Sequence, residues 1–405
     1  MTRRSSLKGY LSIDDGADRM NGPVIMIVAG EASGDLHGSN LIKEIRRIRP
    51  EVKAFGIGGP KMREAGVKLF YEIGHLSLVG FSEVLVRLPF LWRVLSHMRD
   101  LLKEKNPDLL VLIDYPGFNL RLARSARHLG IPVMYYISPQ VWAWGASRIS
   151  RIRRWVSKMV VILPFEEDLF HKYGVDAEFV GHPLLDVVHT GLSKSEFCRR
   201  WDIPPGSLIV GLLPGSRSQE VKRILPIMIQ SAAILNRELC KLELVVASTE
   251  MGDSDLYDRI IQGTDLRVRV ARGETYEVMR HSDLLLVASG TATLEAAIIG
   301  TPMIILYKMA FLSYQIGRIL VKIPNVGLAN IVAGRKIVPE FIQGDARPEK
   351  IASAALELLQ NGDKSRRMRR QLNQVRERLG RKGTSRRVAR IALRLIDPDF
   401  HQSCC

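Results

Sequence analysis

Short, almost wholly apolar runs alternate along this chain with longer stretches in which apolar residues recur every three or four positions. Runs at 24–29, 53–57, 109–113, 133–137 and 159–163, and a short one just before Phe179, predict strands in the first half. Runs at 208–213, 242–247, 267–271, 284–288 and 303–307 predict strands in the second. The intervening spacing predicts helices over 38–48 and 119–129, and others starting near Gln219, Thr291 and Pro348. Strands apolar on both faces, separated by helices, belong to parallel sheets covered on both sides. The expectation is therefore α/β, with two Rossmann-like domains facing a cleft. Residues 181–206, with His182–Pro183 and Ile203–Pro204–Pro205–Gly206, look like the connector. The division expected is 1–22 as a flexible extension, 23–185 and 186–375 as domains, and 376–405 as a basic helix and tail.

One stretch breaks the rhythm. Residues 76–98 are dense in apolar side chains but hold Glu83, Arg87 and Arg93. Three charges near a bilayer centre cost about 8–10 kcal/mol, while a dozen apolar residues return about 4–7 kcal/mol. Spanning a membrane loses. Two short helices divided at Pro89 are expected instead. Their apolar faces suit either a core or, beside Arg87, Arg93 and Arg99, a bilayer interface.

Charge changes the picture further. The 405 residues carry a net +17, and 361–395 alone hold 13 Lys or Arg against Asp363 and Glu377. An anionic partner or a solvated helix face would each account for that. The stretch has no Phe, Tyr or Trp, which argues against a nucleic-acid surface. Four cysteines without CxxC spacing give neither a disulfide framework nor a zinc site, and fit a reducing compartment. Residues 1–22 lack the apolar core of a secretion signal, so a cytoplasmic location is expected.

In open α/β sheets, ligands collect beyond the carboxyl ends of strands. Four loops fall there. Glu31, Ser33 and Asp35 lie in a small-residue turn that is not GxGxxG. Carboxylates there disfavour phosphate and favour a sugar hydroxyl or help to a base. Asp114 ends an apolar strand, placed either as a general base or as a helix cap. Gly215–Ser216–Arg217 offers N–H groups, a hydroxyl and a guanidinium, all suited to phosphate. Ser289–Gly290–Thr291 opens a helix whose Glu295, one turn in, can reach a ribose diol. The last two loops together point to a nucleotide-diphosphate site. Two DxD spacings, Asp253–Asp255 and Asp397–Asp399, are weak metal signals, and no metal or other cofactor is expected. His37 and His182 read as structural.

Seven motifs taken in order resemble one family closely. They are Ala29–Gly30–Glu31–Ala32–Ser33–Gly34–Asp35, Leu78–Val79–Gly80–Phe81–Ser82–Glu83–Val84, and Ile113–Asp114–Tyr115–Pro116–Gly117–Phe118–Asn119. The others are Ser138–Pro139–Gln140–Val141–Trp142–Ala143–Trp144, Leu213–Pro214–Gly215–Ser216–Arg217, Ser289–Gly290–Thr291–Ala292–Thr293–Leu294–Glu295, and Pro324–Asn325 with Asn330–Ile331–Val332–Ala333–Gly334–Arg335. From about Val24 to Arg394 the chain is similar to lipid-A-disaccharide synthase. The resemblance implies an inverting GT-B hexosyltransferase whose C-terminal helices return toward the N-terminal domain. It implies UDP-2,3-diacylglucosamine as donor and 2,3-diacylglucosamine 1-phosphate (lipid X) as acceptor, giving a β(1→6) disaccharide 1-phosphate and UDP. The first domain would take the acceptor and the second the UDP-sugar.

It further implies Asp114 and Glu31 as catalytic, and Ser33, Asp35, Asn119, Ser138, Gln140 and Trp142 as substrate-binding. Gly215, Ser216, Arg217, Ser289, Gly290, Thr291, Glu295 and Asn330 would hold the nucleotide. Family members are peripheral on the cytoplasmic face of the inner membrane. That gives the apolar stretch a purpose, with Val79, Phe81, Leu85, Leu88, Phe90, Leu91 and Trp92 at the anionic membrane surface. A domain-swapped dimer is known in the family, which leaves a homodimer open. A UDP-sugar 2-epimerase or a muramyl-pathway transferase would share the second-half loops, but would not need residues 76–98 with the 138–144 motif.

Overall fold

A computed structural model describes residues 22–73, 81–142, 147–249, 253–309 and 325–400, with backbone alone for 81–88 and Ser254. The N-terminal extension through residue 21, Val79 with the rest of 74–80, Ala143–Trp144, Pro324 and the Cys404–Cys405 pair lie outside the described residues. So do the side chains of Phe81, Leu85 and Leu88.

Two parallel sheets carry the fold. The first contains β1 (Val24–Ala29), β2 (Lys53–Gly58), β3 (Lys68–Glu72), β4 (Leu109–Ile113), β5 (Val133–Tyr136), β6 (Lys158–Val161) and β7 (Ala177–Phe179), in the order β3-β2-β1-β4-β5-β6-β7. The second contains β8 (Leu208–Leu213), β9 (Leu242–Ser248), β10 (Val268–Arg272), β11 (Leu284–Ala288), β12 (Met303–Tyr307) and β13 (Glu340–Ile342), in the order β10-β9-β8-β11-β12-β13. The apolar runs are the sheet centres: β4 and β11 are buried along their whole length. The two strands without an apolar run, β3 and β13, lie at sheet edges and stay partly exposed. None of their residues is fully buried, whereas the other two edge strands, β7 and β10, each bury at least one; β3 and β13 therefore escape a search for apolar runs.

The chain divides into two compact units, one drawn from 1–139, 151–159 and 385–405, the other from 140–150 and 160–384. The last helix, Thr384–Ile396, thus belongs almost wholly with the first unit. It buries Val388, Ala389, Ile391, Ala392 and Leu393, and beyond it Asp397 pairs with Arg49 at 2.8 Å.

Three local expectations are corrected. The first helix starts at Ala32, not residue 38, so Ser33 and Asp35 sit in its first turn. The second expected helix starts at Pro116. And the chain does not break at Pro89: one helix runs Phe81–Lys105. Proline removes one hydrogen bond at a cost of about 3 kcal/mol. Val94, Leu95, Met98, Leu101 and Leu102, all buried at helical spacing, return about 1.5–3 kcal/mol each. The same helix leaves Trp92 53% exposed, with the Arg121 guanidinium over its ring at 5.5 Å. Core and exposed apolar surface are thus two parts of one helix. Among the described residues, no helix is long and apolar enough to cross a membrane.

Part of the basic C-terminal stretch also has structural work. Helix Gly362–Arg378 buries Met368, Leu372 and Val375. On its outer side Arg369 donates to Gly300 O, and Arg378 donates to Val332 O and Ala333 O. Both satisfy carbonyls at helix ends, which lack partners within the helix.

Candidate active site

In each sheet the strand order reverses once, between β1 and β4 and between β8 and β11. Such switch points open a crevice at the carboxyl edge. In the first sheet Ala29 pairs with Ile113, so the loops starting at Gly30 and Asp114 emerge side by side. They touch: a Cβ on Gly30 would sit 2.4 Å from Tyr115 Cγ. Only glycine lets the loops come this close.

The Asp114 turn is strained. Asp114 and Tyr115 adopt φ of 45° and 46°, and just past the end of the adjacent strand β5 Ile137 adopts 65°. Left-handed backbone costs a side-chain-bearing residue about 1–2 kcal/mol, and persists where surrounding bonds fix it. Here Asn119, fully buried, donates Nδ2 to Ile113 O at 3.2 Å and to Asp114 O at 2.7 Å. The Tyr135 hydroxyl donates to the same Asp114 carbonyl, and Asp114 N donates to Tyr136 O at 3.4 Å. With its backbone held, the Asp114 carboxyl is pushed up to about 6 by burial, then by the charge of Glu31, against a lowering backbone hydrogen bond from Tyr115. A base poised near neutrality is what general-base chemistry requires.

Glu31 and Ser33 are exposed at this edge. Asp35 is placed differently. It is 3% exposed and accepts from three backbone N–H groups, those of Gly59, Lys61 and Met62. It fastens the loop after β2 and has a structural task rather than an open face. His37 is held neutral, pushed down to about 4 by burial and by the Lys61 ammonium, and packs edge-on against Tyr136. Ser138 is buried in this unit; Gln140, exposed, and Trp142 fall in the other. Trp142 Nε1 donates to Glu166 Oε1 at 3.1 Å, and its ring meets Phe165 edge-on.

At the second switch point Leu213 pairs with Val287, which brings Gly215–Ser216–Arg217 beside Ser289–Gly290–Thr291. A cavity of about 540 Å³ opens there, lined by both loops and by the loops after β9 and β10. Gly290, at φ 151°, has open space where a Cβ would stand, so a ligand can approach its backbone closely. Among the described residues, the N–H groups of Gly290 and Thr291 donate to no backbone carbonyl. With the N-termini of helices Ser218–Glu238 and Ala292–Ile299 at the rim, the cavity presents N–H groups, hydroxyls and a guanidinium to an anion. Arg217 is exposed and tethered to Glu220 at 3.3 Å. Glu295 lies deeper; burial pushes its carboxyl up, against a hydrogen bond from Tyr276.

Asn330 does not join this lining. It is fully buried, accepts from Ile337 N and Val338 N, and donates to Val338 O and Glu340 Oε1. All its bonding capacity shapes the turn before β13. Ser289 lines the cavity, but its hydroxyl donates to Val326 O at 3.2 Å. Of the acids in DxD spacing, Asp253 caps helix Ser254–Ile261 and Asp397 pairs with Arg49. The sequence reading missed Tyr135, Thr249, Thr275, Tyr276 and Glu220. The carboxyl-edge rule would have found the loops after β9 and β10, which carry no glycine-rich signature.

Solved structures share this architecture at low identity. A UDP-GlcNAc 2-epimerase from Neisseria meningitidis bound to UDP-GlcNAc aligns with TM-score 0.62 at 13% identity, covering 92% of this chain and 100% of its own. The glycotransferase of kitacinnamycin aligns with TM-score 0.62 at 18%, covering 92% and 99%. These establish a GT-B fold of two Rossmann-like domains. Sequence relatives go further. A lipid-A-disaccharide synthase from Syntrophus aciditrophicus is 44% identical over 93% of this chain and 99% of its own. One from Nitrosococcus oceani is 42% identical over 93% and 97%. The profile of the lipid-A-disaccharide synthetase family matches residues 25–395, through both sheets and both switch points. The chain therefore belongs to the lipid-A-disaccharide synthase family, glycosyltransferases of lipid A biosynthesis.

Proposed function

We propose that this protein condenses UDP-2,3-diacylglucosamine with 2,3-diacylglucosamine 1-phosphate, with Asp114 as the base. The observation that carries this is the Asp114 turn: a carboxylate on strained, fastened backbone, poised near 6 beside Glu31. Asp114 takes the proton of the acceptor 6-hydroxyl, and the oxygen attacks the donor's anomeric carbon. The bond from that carbon to the diphosphate oxygen breaks with inversion, and UDP leaves. The cavity at the second switch point is read as the UDP site. Arg217 and the N–H groups of Gly290 and Thr291 supply charge stabilisation to the leaving diphosphate. Glu31 and Ser33 line the acceptor side, with Asn119 as the residue that positions Asp114.

The expected measurement is release of UDP from UDP-2,3-diacylglucosamine, dependent on lipid X. Absence of release with both substrates present would sink the assignment. The exposed Trp92, with half-buried Phe90 and Leu91, supports peripheral binding at an anionic membrane surface on the cytoplasmic face. Replacing all three by Ser is expected to release the protein from anionic vesicles in sedimentation; unchanged sedimentation would remove that role.

A further inference from the structure

A buried carboxylate usually fills both oxygens with donors, as Asp35 does. Glu295 does not. Its Oε1 accepts from the Tyr276 hydroxyl at 3.0 Å, and among the described residues its Oε2 has no partner. Both side chains line the 540 Å³ cavity. Tyr276 arrives from helix Thr275–His281, which follows β10 and packs against helix Ala292–Ile299. The tyrosine ring is itself half-buried against the apolar core, so its hydroxyl is a fixed donor rather than a swinging one. Burial and the neighbouring carboxylate push Tyr276 up, so it remains a donor at neutral pH. The bond in turn opposes the rise that burial imposes on Glu295.

The charge layout divides the cavity. Gly215, Ser216, Arg217, Gly290 and Thr291 form an end suited to anions. One helical turn away, about 5 Å along the axis, Glu295 repels phosphate and accepts hydroxyls. We propose that Tyr276 is a positioning residue for the donor nucleotide: it fastens one oxygen of Glu295 and leaves the other aimed at a ribose hydroxyl, which makes the site selective for ribonucleotides. This rests on reading the cavity as the UDP site. Tyr276 acts through Glu295 and touches no reacting atom.

The test is calorimetric binding of UDP and 2′,3′-dideoxy-UDP to the full chain, in wild type, Tyr276→Phe, Glu295→Gln and the double variant. Wild type is expected to prefer UDP by about 10–100-fold, the worth of a hydrogen bond to a charged group. In Tyr276→Phe the preference falls below about threefold, through weaker UDP binding, while the dideoxy nucleotide binds as before. Adding Tyr276→Phe to Glu295→Gln changes nothing further, because the two act as one unit. Full preference retained in Tyr276→Phe, equal weakening of both nucleotides, or additive effects in the double variant would each overturn the inference. If Tyr276→Phe fails to fold, retained preference in the isosteric Glu295→Gln overturns it as well. Equal binding of UDP and its dideoxy analogue by wild type sinks the inference and leaves the nucleotide site standing. No binding of UDP by wild type sinks both.

Discussion

The two switch points share one topology and differ in crowding and in the groups that dominate them. At the first, the loops after β1 and β4 bring Glu31 beside Asp114, whose backbone is strained, with Gly30 packed under Tyr115. At the second, the loops after β8 and β11 bring N–H groups, hydroxyls and Arg217 together around open space. The first is crowded and acidic; the second is roomy and receptive to anions. A parallel sheet supplies the place, and the loop residues decide what happens there. The strain differs likewise: the first spends it on residues with side chains, the second on Gly215 and Gly290, where positive φ costs little.

Variants can break this contrast at either end. The largest effect is expected from Asp114→Asn. Asparagine tolerates left-handed backbone, so the turn survives while the base is lost, and UDP release should fall by about 10²–10⁴-fold. Near-normal turnover would remove Asp114 as the base. Gly30→Ala comes next: its Cβ overlaps the Tyr115 ring, and a shift of the catalytic loop by an ångström costs about 10²-fold in turnover. Wild-type turnover in this variant would mean that the crowding is irrelevant to catalysis. At the second switch point Arg217→Gln is expected to weaken UDP binding about 10–100-fold while leaving the fold intact; unchanged UDP affinity would separate Arg217 from the diphosphate.

The smallest effects are in pH. Asp114 acts only when ionised, so kcat/KM should fall about tenfold per unit below pH 6. Stability runs the other way. A carboxyl raised from 3.8 to about 6 on folding contributes stability that is fully present below 3.8 and is lost as pH rises through 6. Asp114→Asn should therefore be more stable than wild type at pH 7.5, by about 1–3 kcal/mol, in denaturant titrations. The gain should vanish below pH 4. A variant equally destabilised at both pH values would show that burial does not strain Asp114.

Much of this was legible along the chain. Apolar runs marked the central strands to within a residue or two, because a strand buried on both faces has no polar position to confuse it. The switch-point loops were legible by rule, since glycines and short polar residues follow those runs. Of the four edge strands, β7 and β10 were legible, while β3 and β13, which bury no residue fully, were not. The helix through Pro89 was misread because local propensity signals a break, while packing of its later turns was invisible.

By itself the sequence determined the α/β class, the two sheets, the family and the positions of Asp114, Arg217 and Glu295. Only the tertiary structure decided which polar residues are spent on holding the fold. Asp35 and Asn330 sit in motifs that look chemical, yet backbone N–H groups consume their oxygens, those of the loop after β2 for Asp35 and those of the turn before β13 for Asn330. Tyr135 and Tyr276 sit in ordinary-looking segments, yet they fasten Asp114 and Glu295. Periodicity reports burial, a local property; a hydrogen-bond partner is set by which distant loops share a sheet edge, and that is known only once the strands are ordered.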